Sequence, residues 1–446
     1  MSIPAYPAYR DSGVAWLGQV PAGWAVVPVK AIASCNDDVL PETTPPDEVI
    51  EYVEISDVEE GRGVIQRTAM TFAEAPSRAR RKVQAGDVIV STVRTYLRAI
   101  ATIPEDCDRL VVSTGFAVFR PRRVLASFLG YAFRTEFLVA QIIARSVGVS
   151  YPAINASEVA RLPIPLPAPA EQRAIAAFLD RECGKIDALV AEQERLIALL
   201  KEKRQAVISH AVTKGLDPTA PMKDSGVAWL GQVPAHWDVV PLMRLTQVDR
   251  PIMYGIVLPG PDVGEGIPIL KGGNVKPSRL NLQSVARTTP EIEAPYARAR
   301  LRGGDLVYSI RGSIGDCEIV PPELEGSNIT QDVARVAPQD GIDPEWLRFA
   351  LLSDPVREAL ASGSLGAAVR GINIFDLKRA RIPVPPSEER SAIADYVRAS
   401  LSGIESLSAE AERAIALLKE RRAALISAAV TGRIDVRGLV PAAKAA

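Results

Sequence analysis

Two stretches of the chain carry apolar residues at helical spacing over a far longer span than an ordinary domain helix. In the first, Ile186, Leu189, Leu196, Leu200 and Val207 keep an a/d-like recurrence, with Phe178 and Leu179 upstream. In the second, Ile404, Leu407, Ile415, Leu418, Leu425 and Val430 recur in the same way. A proline-rich stop precedes each (Pro163 to Pro169; Pro383 to Pro386), and Glu171 and Glu388 stand where the positive end of a helix favours carboxylates. Gly215 and Gly432 close the two runs. Each run predicts a helix of about 44 residues, a rod of roughly 65 Å. The apolar stripe is narrow and bordered by Glu, Lys and Arg, which suits a coiled-coil seam better than a broad core face. The economical partner for each stripe is the other one, packed antiparallel. The alternative is that each helix packs only on its own domain.

Ahead of each helix lie roughly 140 residues of short β-branched runs punctuated by Gly and Pro, the pattern of a mixed, strand-rich α/β domain. These regions are copies of one another. Asp11 to Pro28 matches Asp224 to Pro241 at an offset of 213, and only Gly23/His236 and Ala25/Asp238 differ. "GDVIVS" from Gly86 matches "GDLVYS" from Gly304 at an offset of 218. The same 218 relates "IPLP" from Ile164 to "IPVP" from Ile382, and "IALLKEKRQAVISHAVTKGLD" from Ile197 to "IALLKERRAALISAAVTGRID" from Ile415. The chain is therefore two tandem copies of one unit, the second longer by a net five residues between the first two landmarks.

Composition adds little beyond exclusions. At 446 residues, 47% hydrophobic and 24% charged, the chain has the make-up of a soluble globular protein with two to four domains. No apolar run suits a membrane span and the N-terminus lacks a secretory pattern, so a cytoplasmic location is expected. Cys35, Cys107, Cys183 and Cys317 form no CxxC pair and read as reduced structural thiols. With only His210 and His236 there is no HExxH site and little material for a Ser/His/Asp triad. "GPDVGEG" from Gly260 lacks the lysine of a phosphate loop. No metal ligand set, cofactor motif or catalytic group is expected in this chain.

The segment "YRDSGVAWLGQVPAGW" resembles the N-terminal signature of the specificity subunits of type I restriction–modification systems. "LPIPLPAPAEQRAIAAFLDRECGKIDALVAEQERLIALLKEKRQAVISHAVTKGLD" resembles the central spacer helix of that family, and "ARIPVPPSEERSAIADYV" through "LISAAVTGRID" its distal one. The resemblance covers nearly the whole chain in the expected order, with the variable domains matching only in outline. It implies an α/β (α+β) protein in which two target-recognition domains are joined by two long helices in an antiparallel coiled coil, with pseudo-two-fold internal repetition. The implied boundaries are 1–168 for the N-terminal segment and first recognition domain and 169–216 for the central helix. They continue with 217–386 for the repeated segment and second domain, and 387–446 for the distal helix and tail. Each recognition domain would read one half of a bipartite double-stranded DNA target. Two methyltransferase subunits would dock on the scaffold and restriction/translocase subunits would join them. S-adenosylmethionine, ATP and magnesium would belong to those partners, in keeping with the lack of an [ND]PP[YF] motif here. Symmetry further predicts that the N-terminal segment docks near the C-terminal end, making the molecule quasi-circular.

Net charge is −1, yet the charge is unevenly distributed. Asp37 to Glu60 holds ten acidic residues and no Lys or Arg, whereas Gly61 to Ile100 holds eight basic against two acidic. Lys271 to Arg311 repeats the bias with eight against three. Local patches of this kind set phosphate affinity. "SRARRKV" (Arg78, Arg80, Arg81, Lys82) aligns with "YARARLR" (Arg298, Arg300, Arg302), and a feature kept in both copies suits a sequence-independent phosphate grip; a solvated edge is the alternative. Just after the following strand the copies diverge: "TVRTYLR" offers Arg94, Tyr96 and Arg98 where "IRGSIGD" offers Arg311 and Ser313. Divergence at an equivalent loop is what reading two different half-sites requires. "GVSYPA" with Tyr151, "GAAVRG" with Arg370 and "SNITQD" with Asn328 are further divergent candidates. Asn155 and Asn373 each start an Asn-x-x-acid pattern and read as helix caps. Trp16, Trp24, Trp229 and Trp237 are expected to pack locally or at a partner interface. Two other functions fit the repeat: a freestanding double-headed DNA-binding regulator, which would bind its site without partners, and a purely structural scaffold with no sequence-dependent DNA affinity.

Overall fold

The computed structural model describes residues 3–362 and 371–439. The chain divides into two compact units, Met1–Glu194 with Glu412–Ala446, and Arg195–Ala411. The first takes in the start of helix Pro169–Lys214 and the end of helix Ser387–Val430; the second takes in the remainder of both.

In unit 1 the β-branched runs form two four-stranded sheets. One is antiparallel throughout, in the order Ile100–Thr102, Val88–Ser91, Phe116–Pro121, Ala33–Cys35. Val88, Ile89 and Val90 are buried, so this central strand reads as a continuous apolar run. The other sheet orders Thr68–Thr71, Val49–Val53, Leu110–Ser113 and Ala79–Lys82, with the middle pair parallel. Helices Ala126–Phe133 and Glu136–Ala144 cover the first sheet, where Phe119 and Phe133 pack at 4.9 Å between ring centroids.

Unit 2 repeats this plan with shorter strands. An antiparallel sheet runs Met253–Tyr254, Val333–Val336, Leu306–Ser309, Cys317–Ile319. A three-stranded sheet runs Ala286–Thr288, Ile267–Leu270, Asn328–Ile329, again with one parallel pair. That pair matches the parallel pair of unit 1 at the offset of 218: Glu51 opposes Leu110 in one copy and Ile269 opposes Asn328 in the other. Helices Pro344–Leu352 and Asp354–Ser362 complete the core.

The repeated Trp/Pro segment has the same job in each unit. Ala25–Pro28 pairs with Pro163–Leu166, and Asp238–Pro241 pairs with Arg381–Val384, so the segment is stitched to the proline-rich lead-in of a long helix. Its tryptophan also receives the C-terminus of a long helix. Gly215 (φ +78°) and Gly432 (φ +72°) end the helices in the left-handed conformation that favours glycine. A Cβ on Gly215 would lie 3.3 Å from the Trp237 ring, and one on Gly432 would lie 2.3 Å from Pro21 and 3.1 Å from the Trp24 ring. Trp24 and Trp237 are buried, while Trp16 stacks on Phe137 and Trp229 is partly exposed. The N-terminal segment does dock beside the C-terminal end: the Tyr9 hydroxyl donates to the Gly432 carbonyl at 2.9 Å and the Asp435 N–H to the Pro4 carbonyl at 2.7 Å.

Within each unit the two helix portions pack together. Arg422 pairs with Asp187 at 2.8 Å and the Arg181 guanidinium donates to the Leu439 carbonyl, which shows the two helix portions running antiparallel in unit 1. In unit 2, Leu200, Ile208 and Val212 share a core with Ile393, Val397, Leu401 and Ile404. The buried stripe departs from the expected one. Ile186, Leu200, Ile404 and Val430 are buried as expected, but Val190, Ile208 and Ile426 replace Leu189, Val207 and Leu425 as the buried neighbours. The cause is that the helices also pack on their domains, with Ile175, Phe178, Leu179 and Cys183 in the unit 1 core, which turns the apolar face away from a strict two-helix seam. The helices thus pack both on one another and on their own domains. The four cysteines are unpaired, and all but Cys35 are buried.

Candidate nucleic-acid interface

In unit 1 the chain leaves strand Val88–Ser91 and enters the divergent loop. Arg94 (φ 53°) and Arg98 (φ 52°) flank a single 3-10 turn, Thr95–Leu97. Two arginines in the left-handed region mark a loop that is held in place by its surroundings. The Thr92 carbonyl accepts from the Ile154 N–H at 2.9 Å, and the Arg94 N–H donates to the Pro152 carbonyl at 2.8 Å. Thr95 and Ser146 share a hydrogen bond between hydroxyls at 2.8 Å, and Val147 and Ala153 bridge. Two candidate stretches far apart in sequence, 92–98 and 148–153, thus become one ridge. On it the Arg94 guanidinium lies 4.7 Å from the centroid of the Tyr151 ring. Tyr96 and Tyr151 are 53% and 61% exposed, far more than packing would leave them.

Unit 2 anchors its counterpart loop at the equivalent positions. The Ile310 carbonyl accepts from the Ile372 N–H at 2.9 Å, the same bond as Thr92 to Ile154 shifted by 218, and Arg311 bridges Gly371. The Asp332 carbonyl accepts from the N–H groups of Ile310 and Arg311. Arg311 and Ser313 are exposed at the loop. Arg370 lies outside the described residues.

The shared basic run folds differently in the two copies. Ala79–Lys82 is a strand at the sheet edge, with Lys82 exposed and the half-buried Arg80 guanidinium 4.7 Å over the Phe72 ring. Arg78 is exposed and lies 4.0 Å from Glu54; Arg81 is half-buried. The aligned residues of unit 2 fall in and just after a 3-10 helix, Ala294–Ala299. Arg298 and Arg302 are exposed there.

Three candidates are committed to structure. The Asn328 side chain is fully buried and its amide donates to Glu293 at 2.8 Å and to the Tyr296 carbonyl at 3.0 Å, so it holds the basic turn in place and cannot reach an external base. Arg300 pairs with buried Glu293 at 2.7 Å, and this hydrogen bond, followed by that of Asn328, draws the Glu293 carboxyl below its usual range. Arg98 pairs with Glu136 and with Glu60, which raises its pKa further and turns it off the ridge. It lines a cavity of about 1150 Å³ beside Arg134 and Arg422 instead. Asn373 caps helix Ile374–Arg379 by accepting from the Phe375 N–H at 3.0 Å. Asn155 stands at the equivalent cap position without a side-chain bond; its carbonyl alone receives the Glu158 N–H.

Sequence reasoning missed Ser146, which positions the ridge through a hydroxyl pair, and the anchoring part played by the Pro152 carbonyl within a stretch singled out for its divergence. The only signal for them was the alignment of Ile154 with Ile372. Among the described residues no group of three or more His, Cys, Asp or Glu could hold a metal ion, and no helix is long and apolar enough to cross a membrane.

Residues 44–196 match the family model of the type I restriction modification DNA specificity domain. The chain is 29% identical over 281 residues to the type I restriction enzyme EcoBI specificity subunit of Escherichia coli, a match covering 61% of this chain and 59% of that protein. It is 24% identical over 441 residues to the putative type I restriction enzyme MjaX specificity subunit of Methanocaldococcus jannaschii, covering 94% of this chain and 96% of that protein. A solved chain from a study of "complex assembly" and "conformational transition of the type I R-M system" shares the fold, with a TM-score of 0.70, 24% identity and coverage of 93% of this chain and 99% of that one.

Proposed function

We propose that the chain is a type I restriction–modification specificity subunit, as its similarity to that family supports, and that it reads a bipartite DNA target, one half-site with each unit. The observation that carries the reading is the pair of divergent loops, anchored by equivalent backbone bonds and exposing Arg94, Tyr96 and Tyr151 in one copy and Arg311 and Ser313 in the other. A guanidinium presents a fork of donors that matches the O6 and N7 acceptors of guanine in the major groove. Tyrosine and serine hydroxyls add adaptable contacts. Arg78, Arg80 and Lys82, with Arg298 and Arg302, supply charge to neighbouring phosphates, fixing position without reading sequence.

The chain itself performs no chemistry in this proposal. Two methyltransferase subunits dock on it and restriction/translocase subunits complete the assembly, in the cytoplasm. S-adenosylmethionine, ATP and magnesium are held by those partners. A freestanding regulator is not favoured, since the relatives are all specificity subunits. Genome-wide mapping of methylated bases, with and without this gene, tests the reading: two short half-sites separated by a fixed unspecified gap should appear, and a single continuous motif overturns it. Light scattering of the co-purified complex should give two methyltransferase chains per copy, and a stable one-to-one complex at saturation refutes that stoichiometry.

A further inference from the structure

The five surplus residues of the second copy fall in one place. Pro28 to Val49 spans 21 positions, whereas the equivalent Pro241 to Ile267 spans 26. The longer segment carries a run of exposed apolar side chains that the core does not use. Leu258 is 81% exposed, and Val257 and Tyr254 are exposed beside it. A lone exposed leucine is unremarkable on any protein surface. This one sits on a segment fixed at both ends.

On the N-terminal side, Gly255 presses against the sheet so closely that a Cβ there would lie 1.9 Å from the Ile329 carbonyl oxygen. The Ile256 N–H donates to that carbonyl at 2.8 Å, and the Gln331 N–H donates back to the Ile256 carbonyl at 2.9 Å. On the C-terminal side, the Thr288 hydroxyl donates to the Pro259 carbonyl at 2.8 Å, and Gly260 turns the chain at φ +72°. The anchor strand continues directly to Asp332, whose carbonyl holds the N–H groups of Ile310 and Arg311. On another side, a Cβ on Gly272 would lie 3.0 Å from the Arg311 carbonyl, which brings exposed Lys271 into the same neighbourhood. The apolar tip is therefore tied through the strand that ends at Asp332 to the loop that carries Arg311 and Ser313.

We propose that Val257 and Leu258 are specificity determinants of unit 2, packing against the C5-methyl group of a thymine in the half-site that this unit reads. The inference rests on the DNA-reading assignment above and names the base chemistry of one part of it. Neither side chain can hydrogen-bond, and the only apolar group that a standard base pair presents in the major groove is the thymine methyl. The equivalent segment of unit 1 exposes Val39, held by a bridge to Arg81, but the leucine that follows it, Leu40, is buried, whereas Leu258 is exposed. The two copies would thus read by unlike means, unit 1 with an arginine–tyrosine pair and unit 2 with an arginine beside an aliphatic tip.

The test uses the assembled complex with its methyltransferase and a duplex carrying the mapped target. The half-site of unit 2 is the one whose reading Arg311→Ala relaxes. Each of its thymines is replaced in turn by deoxyuridine, which removes only the methyl. One or two positions should weaken binding about fourfold, the loss of one buried methyl. Leu258→Ala should weaken the unmodified duplex by a similar factor and become indifferent to deoxyuridine at those positions, while Leu258→Met keeps the response. A Leu258→Ala complex that still discriminates thymine from deoxyuridine overturns the proposal. So does a half-site without thymine, a wild type indifferent to deoxyuridine, or a Leu258→Ala chain that loses its methyltransferase on co-elution. Scrambling each half-site separates the two levels: if scrambling costs nothing, the DNA-reading assignment itself fails, and if scrambling weakens binding but deoxyuridine does not, only the methyl contact fails.

Discussion

Replacing Arg94 by alanine separates a base contact from a structural one, because the geometry divides its side chain into two parts with different signatures. The first is the stack on Tyr151, a guanidinium 4.7 Å from an exposed ring, which contributes about 0.5–1 kcal/mol to loop order. That part is lost for every DNA sequence alike. The second is a bidentate guanine contact, about 1–3 kcal/mol or roughly 5- to 150-fold, lost only for the matched duplex. The backbone adds little, since alanine at φ 53° meets much the same left-handed penalty as arginine. Competition binding of the assembled complex to the matched duplex, and to duplexes changed one base pair at a time, reads the two parts separately. Arg94→Ala should collapse discrimination at one position of one half-site and leave the other half-site intact. Arg94→Lys should also fail, because an ammonium keeps the charge but not the planar fork. If matched and mismatched duplexes weaken by the same factor, Arg94 orders the loop or grips phosphate, and the assignment of 92–98 as a reader is wrong.

Arg80→Ala should instead weaken all duplexes alike and lower the magnitude of the salt slope of binding by about one, measured across a salt titration. Trp237→Ala, which removes a fully buried indole that donates to Glu389 at 3.1 Å, should cost unit 2 about 3–5 kcal/mol in urea unfolding. Gly432→Ala should loosen the N-terminal segment in limited proteolysis, because its Cβ would meet Pro21 at 2.3 Å, whereas Gly403→Ala, mid-helix with nothing within 4 Å, should stabilise by about 0.5–1 kcal/mol. Glu293 has a depressed folded pKa, so its contribution is complete above the ordinary carboxylate range and disappears as pH falls through the folded value; Glu293→Gln should be less stable than wild type at neutral pH and the gap should close in acid.

The internal repeat made much of the fold legible before any coordinates. Helix ends at Gly215 and Gly432 and the proline-rich lead-ins were fixed by local chemistry that acts within a few residues. The seam was only half legible. Leu189 and Val190 both suit an apolar stripe by spacing, and it is Val190 that is buried, lining a cavity together with Gly61 and Arg62 of the domain and Ala423 of the other helix, all distant in sequence. The basic run shows the same limit. Its charge survives in both copies, and so does the proline ahead of it (Pro76 and Pro295), yet one copy folds as a strand and the other as a 3-10 turn.

Comparison of the two copies separates scaffold from reader well when it is applied to position, and less well when it is applied to residue type. Arg98 and Asn328 differ from their counterparts, as readers should, yet each closes an ion pair or hydrogen bond with a carboxylate of its own unit. Divergence alone therefore cannot distinguish a base contact from a repaired local contact. Partnership can. Arg94 and Arg311 are divergent, exposed and without a carboxylate partner among the described residues, so no ion pair there accounts for their charge. Arg98, Arg300 and Asn328 are divergent or basic too, but their donors are already satisfied. Leu258 meets the same criterion from the apolar side, since its exposure has no internal compensation while its backbone is pinned on both flanks. A rigid backbone carrying unsatisfied side chains is what a recognition surface requires, because the ordering entropy is lost on folding and not again on binding.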